Sequence, residues 1–325
     1  MKIITLILFF LLFNFSFSQM IFKVNNFSKT YYGKVFIEDT TAVFSKGWVA
    51  IYNVNTNKKL IKVNSEELTY ELHNGKMLAN IIELPYGEQS QIIYEDFNFD
   101  GIKDFAIMDG QNSCYHGPSF QIYLATNNGF KYNEGFTKLA QEYCGMFNVD
   151  AKNKTISTMT KSGCCWHQFS EFKVENNNPY AIKIVEEGLG MSGITWDYIE
   201  ENLVNGKMVT SEYQMLDVEI NEDNLLLSFE FSNQKKMQIF YIENYLYYVF
   251  TDVDEAIELL YYENFKYSKS ENSLTFINYN TQYTIYDEKI VIKTSNKNYV
   301  MKAAKNTIKG TLLKLKKIDF ENLSK

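Results

Sequence analysis

The chain contains no arginine: all 32 of its basic side chains are lysine. That absence removes the planar, bidentate donor that reads phosphates and guanine edges, so a nucleic-acid role loses its best tool. A formal charge of -7 and a pI near 5.2 supply no compensating pull toward nucleic acid or anionic lipid. Proline is scarce as well, with three residues, so the chain breaks at Asn, Asp, Gly and Lys instead. There are three histidines and no His-Glu-x-x-His helix, no serine nucleophile elbow and no glycine loop that could cradle a phosphate, which leaves the chain without a catalytic signature. The missing arginine and the abundance of Asn, Ile, Phe and Tyr share one plain cause, coding in a low-GC genome.

Long hydrophobic runs are also lacking. The apolar stretch from Ile3 to Phe13 falls short of the roughly 20 residues that span a bilayer. Preceded by Lys2 and followed by Ser16-Phe17-Ser18, it reads as a signal peptide over 1–18, with the mature chain beginning at Gln19. No cysteine follows it to carry a lipid. The expected protein is exported, periplasmic or extracellular, with no integral membrane segment after cleavage.

What is present is a succession of short runs rich in Tyr, Phe, Ile and Val, such as "GWVAIYNV", "FQIYLAT", "LLLSFEFS" and "KIVIKTS", separated by turn residues. This pattern predicts an all-β fold, mainly antiparallel, with one or two short helices at "FTKLAQEY" (136–143) and "DVDEAIELLYY" (252–262). A strand-rich, cysteine-bearing domain is expected over 19–210, with 19–90 either separate or its first layer. A β-meander or small barrel is expected over 211–325.

The most informative stretch is "IIYEDFNFDGIKDFAIMDG", residues 92–110. In Asp-x-Asn-x-Asp-Gly-x-x-Asp, Asp96, Asn98, Asp100 and Asp104 can turn oxygens inward while the carbonyl of Ile102 closes the ring, the donor set of a hard cation. Gly101 supplies the left-handed conformation that the turn demands. Three carboxylates this close repel one another unless a divalent ion or a proton intervenes, and calcium is the expected ion. Position 12, where an EF-hand needs a bidentate acid, is Ile107, so the site would lie in a β-hairpin.

All four cysteines, Cys114, Cys144, Cys164 and Cys165, follow this loop within about fifty residues, and in an exported chain an even number reads as disulfides. A hairpin turning at 150–153 would bring a third strand, starting near Cys165, close to Cys144. The expected pairing therefore joins Cys114 and Cys144 each to one member of the 164/165 pair, with the assignment open. Cys114-x-His116 and Cys165-x-His167 could instead form a zinc or copper site, or a Cys-His nucleophile, but both readings compete with the disulfides. His73, in "ELHNGK", reads as a turn residue. The acid pairs Glu66-Glu67, Glu186-Glu187 and Glu200-Glu201 read as solvated faces.

The Asp-rich nonapeptide between two apolar strands resembles the integrin-type, FG-GAP-like calcium loop. The order that follows over roughly 85–205, with a Gly-Pro-Ser loop, the "IYL" strand, a Leu-bearing helix and a Lys-x-Ile strand, resembles a family of small bacterial exported proteins. Its members include the type IV secretion immunity lipoproteins and resemble periplasmic lysozyme inhibitors. The chain departs from them in lacking the lipid-anchor cysteine and in its extra cysteines and long C-terminal part, which is faintly similar to the β-barrel inhibitors of C-type lysozyme. The resemblance implies a non-enzymatic, calcium-binding envelope protein that binds a protein partner, a peptidoglycan-cleaving glycan hydrolase, and blocks it. The alternative is a secreted hydrolase or carbohydrate-active protein with a structural calcium.

Overall fold

The structure is a computed structural model that describes residues 20–217 and 222–325. The expected leader, 1–18, lies outside the described residues. Among those described, no helix is long and apolar enough to cross a membrane. The described chain is all-β and mainly antiparallel, and it divides into two compact units: residues 20–186 with 200–210, and residues 187–199 with 211–217 and 222–325.

In the first unit, β1 (Met20–Val24), β2 (Tyr31–Ile37), β3 (Ser45–Asn53) and β4 (Lys59–Leu68) form a sheet in sequence order. Along β4, Ile61, Val63 and Ser65 are buried while Lys62, Asn64 and Glu66 are exposed, the period of two that commits one face to a core. A second sheet runs β5 (Ile92–Glu95), β6 (Asp104–Ser113), β7 (Gly117–Thr126) and β8 (Gly129–Tyr132). Residues Asp104 to Met108 of β6 are all fully buried, so this strand is covered on both faces and reads as a continuous run. Phe97, Phe105, Phe120, Phe136 and Phe147 lie in this unit's core.

Helix α1 (Glu134–Leu139) is capped by the Asn133 side chain, whose oxygen accepts from Phe136 N at 3.0 Å. Its buried Thr137 hydroxyl accepts from Ile122 N at 3.0 Å, fixing the helix to β7. The helix therefore starts before the expected 136 and ends at 139 rather than 143. A six-stranded sheet follows, in the order β14-β13-β12-β11-β10-β9. Its strands are β9 (Asn148–Asp150), β10 (Thr155–Ser162), β11 (Trp166–Glu175), β12 (Asn178–Leu189), β13 (Thr195–Val204) and β14 (Lys207–Leu216). Two of its tight turns rest on asparagine at positive φ: Asn176 and Asn177 between β11 and β12, and Asn205-Gly206 between β13 and β14. Asparagine tolerates that conformation, and the rich Asn content is spent on hairpins.

The second unit holds β15 (Leu225–Glu230), β16 (Lys236–Ile242), β17 (Tyr245–Thr251), β18 (Ile257–Tyr261), β19 (Phe265–Ser268), β20 (Ser273–Asn278), β21 (Thr281–Tyr286), β22 (Lys289–Lys293), β23 (Asn298–Lys302), β24 (Lys309–Gly310) and β25 (Leu323–Ser324). These make two open sheets, β18-β17-β16-β15-β24 and β23-β22-β21-β20-β19-β25, over a core of Leu226, Phe229, Tyr248, Phe265 and Phe276. They are meanders; no closed barrel occurs among the described residues. The expected helix at 252–262 is instead a turn and a strand. The Asp252 carboxylate accepts from Asp254 N and Ala256 N, both at 2.9 Å, which folds the chain back so that β18 pairs antiparallel with β17. The buried side chain of Asn322 donates to Leu246 O at 2.8 Å and Tyr262 O at 2.9 Å and accepts from Leu246 N at 2.9 Å, so β25 is pinned beside β19.

Candidate functional site: the Asp-rich loop and the disulfide-braced turns

The Asp-rich loop is the connection between β5 and β6, which pair from Ile92↔Ile107 to Glu95↔Asp104. Phe99 (φ 64) and Gly101 (φ 88) take the left-handed conformation, which curls the loop so that its side chains face its own backbone. Asp96 accepts from Asp100 N at 3.2 Å and from Gly101 N at 2.8 Å. The Asn98 oxygen accepts from Asp100 N at 3.3 Å, and Asp100 accepts from Ile102 N at 2.8 Å. The Asn98 amide donates to Asp100 at 2.9 Å and to Asn177 Oδ1 at 2.8 Å, tying the loop to the turn between β11 and β12.

Asp104 is the floor of this arrangement and is fully buried. One carboxylate oxygen accepts from Phe97 N at 2.9 Å and the other from Ala125 N at 2.7 Å. Burial pushes its carboxyl up from 3.8 to about 6, against the two amides that favour the charge, and Asp100 and Asp96 repel it further. The loop places half-buried Asp96 and Asn98 and exposed Asp100 around buried Asp104, although the carboxylate oxygens of Asp96, Asp100 and Asp104 do not all come within 4.8 Å of one another. The Ile102 side chain is 57% exposed and does not belong to the core. The side-chain donors are oxygens, which fits a hard divalent ion better than a soft one. Such an ion would supply the positive charge that a buried Asp104 beside two other carboxylates lacks.

The four cysteines form two disulfides, Cys114–Cys144 and Cys164–Cys165. The expected pairing across the two groups is therefore wrong. Cys114 N donates to Tyr143 O at 3.3 Å and Cys144 N to Met159 O at 2.8 Å, so the segment at 143–145 lies directly between the turn after β6 and strand β10. The neighbour that Cys144 meets on the hairpin is Thr160, 3.9 Å from its sulfur, on β10 rather than at the start of β11. Cys164 and Cys165 sit beyond the last pair of that hairpin, Ser162↔Trp166, and bond to each other. With every thiol consumed, the Cys-x-His metal and nucleophile readings fail. His116 Nε2 lies 3.2 Å from Glu67, and its ring packs edge-on against Phe44.

The surroundings of these bridges carry no signal in the sequence. Tyr115 (φ 51) and His116 (φ 60) are consecutive bulky residues in the left-handed region, held immediately after Cys114. Tyr115 is 60% exposed, and its hydroxyl accepts from Gly163 N at 2.5 Å, joining the two disulfide-bearing turns. Lys161 Nζ lies 4.7 Å from the Tyr86 ring and 5.2 Å from the Tyr115 ring, and Tyr86 is 55% exposed. Nothing in the sequence separates these two from the other tyrosines, 24 in all. A cavity of about 900 Å³ adjoins Tyr86, lined also by Val43, Tyr70, Glu71, Glu83 and Glu88. His73 does sit in a turn, bridged to Lys76, but its ring also reaches Glu88 at 2.8 Å. Among the described residues, Glu71, His73 and Glu88 are the three acidic or imidazole side chains whose ligand atoms all converge within 4.8 Å of one another.

No known family model matches the chain, and no curated protein matches it. Among solved structures it is similar to a Xanthomonas type IV secretion system related protein, at 20% identity and a TM-score of 0.46, over 56% of this chain and 90% of that one. It is also similar to prolyl oligopeptidase B from Galerina marginata, at 6% identity and a TM-score of 0.25, over 92% of this chain and 43% of that one.

Proposed function

We propose that this is an exported, non-enzymatic binding protein, stabilised by calcium at the Asp-rich loop, whose disulfide-braced aromatic turn engages a peptidoglycan-cleaving enzyme of the cell envelope. The observation that carries the reading is the Tyr115-His116 turn. Two adjacent non-glycine residues in the left-handed region cost on the order of 1–3 kcal/mol each, and such strain collects where a protein presents side chains for recognition. Here it holds an exposed tyrosine beside a second exposed tyrosine, with Lys161 near both rings, and tyrosine is a residue enriched in binding hot spots. The Cys114–Cys144 bridge fixes the turn before any partner arrives, so less ordering is lost on binding.

Export is supported by the disulfides, which persist in oxidising compartments. Calcium is supported by the all-oxygen side-chain set of Asp96, Asn98, Asp100 and Asp104. In this reading the ion stiffens the connection between β5 and β6, and Asn98 passes that order on to Asn177. The resemblance of the sequence to secretion immunity proteins and lysozyme inhibitors supplies the target class.

The test immobilises the mature chain and titrates purified C-type lysozyme and a bacterial muramidase, with peptidoglycan hydrolysis read in parallel. Saturable binding that inhibits one of these enzymes and is lost in Tyr115→Ala supports the proposal, provided the variant melts as the wild type does. Hydrolysis of peptidoglycan by the chain itself, abolished by substituting Glu71, Glu83 or Glu88 beside the cavity, would replace it with the hydrolase reading.

A further inference from the structure

We propose that Glu71, His73 and Glu88 form a binding site for a divalent transition metal ion of the zinc type, separate from the Asp-rich loop and independent of the reading above. Two turns build it. Asn74 (φ 53) and Gly75 (φ 74) make the tight turn that bridges His73 to Lys76, with backbone bonds of 2.8 and 3.1 Å in the two directions. Glu71 lies two residues before His73 on the stretch entering that turn, and its carboxylate comes within reach of the His73 ring. Glu88 comes from the second turn, where Glu83 N donates to Glu88 O and Gly87 N to Glu83 O, both at 2.8 Å, beside the Ile82–Gln89 bridge.

The donors are already gathered. His73 Nε2 lies 2.9 and 2.8 Å from the two oxygens of Glu88, and the Glu71 oxygen completes a group within 4.8 Å. A tetrahedral zinc with bonds of about 2.0–2.1 Å holds its donors roughly 3.3 Å apart, so metal entry asks only for a small opening of the His73–Glu88 contact. An imidazole among the ligands selects against calcium and magnesium, which prefer oxygen throughout.

Charge argues the same way. The Glu88 side chain is 15% exposed, and its ion-pair partner is His73, which is charged only when protonated. No lysine pairs with Glu71, Glu83 or Glu88 among the described residues. Glu71 and Glu88 also line the cavity of about 900 Å³, so the remaining coordination positions face open space where water or a partner's side chain could enter. Competition within the chain is weak: the thiols are oxidised, and His116 has one carboxylate, Glu67, beside it.

The test is titration of the mature, oxidised chain with zinc chloride, followed by calorimetry and by the ring resonances of its three histidines. One equivalent should bind, moving the His73 ring signals and leaving those of His116 and His167 in place. His73→Ala and Glu88→Gln should each weaken binding by at least about 100-fold, since even outer partners of a metal site are worth 10- to 100-fold. Asp100→Ala and His116→Ala should bind zinc as the wild type does. An unmoved His73 at millimolar zinc, or binding that survives both His73→Ala and Glu88→Gln, would overturn the proposal.

Discussion

Asp104→Asn separates a structural role for the Asp-rich loop from an ion-binding one. Two opposed effects meet at this residue when no ion is bound. The Asp104 carboxyl titrates at about 6 rather than 3.8, so at neutral pH its charge is disfavoured by about 3 kcal/mol at most, less whatever screening reaches it through the loop. A neutral amide removes that cost. It also turns an N–H toward one of the two backbone donors, Phe97 N or Ala125 N, and a buried donor left unpaired costs about 1–3 kcal/mol. The two nearly cancel, so in chelator the variant should lie within about 1–2 kcal/mol of the wild type. With calcium at 100 times its dissociation constant the wild type gains about 2.7 kcal/mol that the variant cannot. The assay is native-state hydrogen exchange at the buried β6 amides, which reports the first unit by itself. A carboxyl whose folded pKa is raised binds its proton more tightly when folded. In chelator, stability should therefore be highest below pH 3.8 and decline as the pH rises through about 6, and Asp104→Asn should flatten that slope. If the variant is destabilised equally in calcium and in chelator, the carboxylate is a cap for two amides and the calcium argument fails.

Endoproteinase Lys-C digestion without reduction should release 162–173 as a free peptide lighter by two hydrogens, with 104–131 linked to 139–152; any link from 162–173 to either would restore the crossed pairing. Gly310→Ala should destabilise the second unit by roughly 2 kcal/mol or more and leave the first unit's melt unchanged, because φ is +81 and the added carbon would lie 2.1 Å from the Leu226 carbonyl oxygen. Asn177→Ala should cost about 1–2 kcal/mol through its φ of 61 and the lost bond to Asn98, whereas Asn177→Gly should cost less, as urea melts of both would reveal.

Strands were legible wherever one side of the chain had to be dry. In β4 the alternation of Ile61, Val63 and Ser65 with Lys62, Asn64 and Glu66 announces itself, and "DFAIM" reads as a strand buried on both sides. The stretch 252–262 misled because Glu, Ala and Leu favour helix, and the preference of a few residues yields to a carboxylate that folds the turn and a strand waiting to be paired. The Asp-rich loop was visible because its chemistry is local, each partner lying within a few residues of the next. The disulfide pairing was not, since it depends on which strand of a hairpin Cys144 meets, a one-strand difference that spacing cannot resolve. The convergence of Glu71 and His73 with Glu88 was hidden for the same reason: two turns must first be placed side by side.

Asn322 sets the order in which the second unit can be finished. Its side chain serves Leu246, 76 residues earlier, and Tyr262, 60 residues earlier, while the strands between them pair largely with their immediate successors. Hairpins of that kind close quickly, but a contact across so long a stretch must first meet the entropy of bringing distant residues together. The meander can therefore assemble before its pin arrives, leaving the Leu246 amide and the carbonyls of Leu246 and Tyr262 without the Asn322 side chain that will cover them. Folding of this unit should accordingly show an intermediate in which β16 and the rest of β17 are protected from exchange while the Leu246 amide is not, and the arrival of Asn322 supplies the last partner that amide lacks.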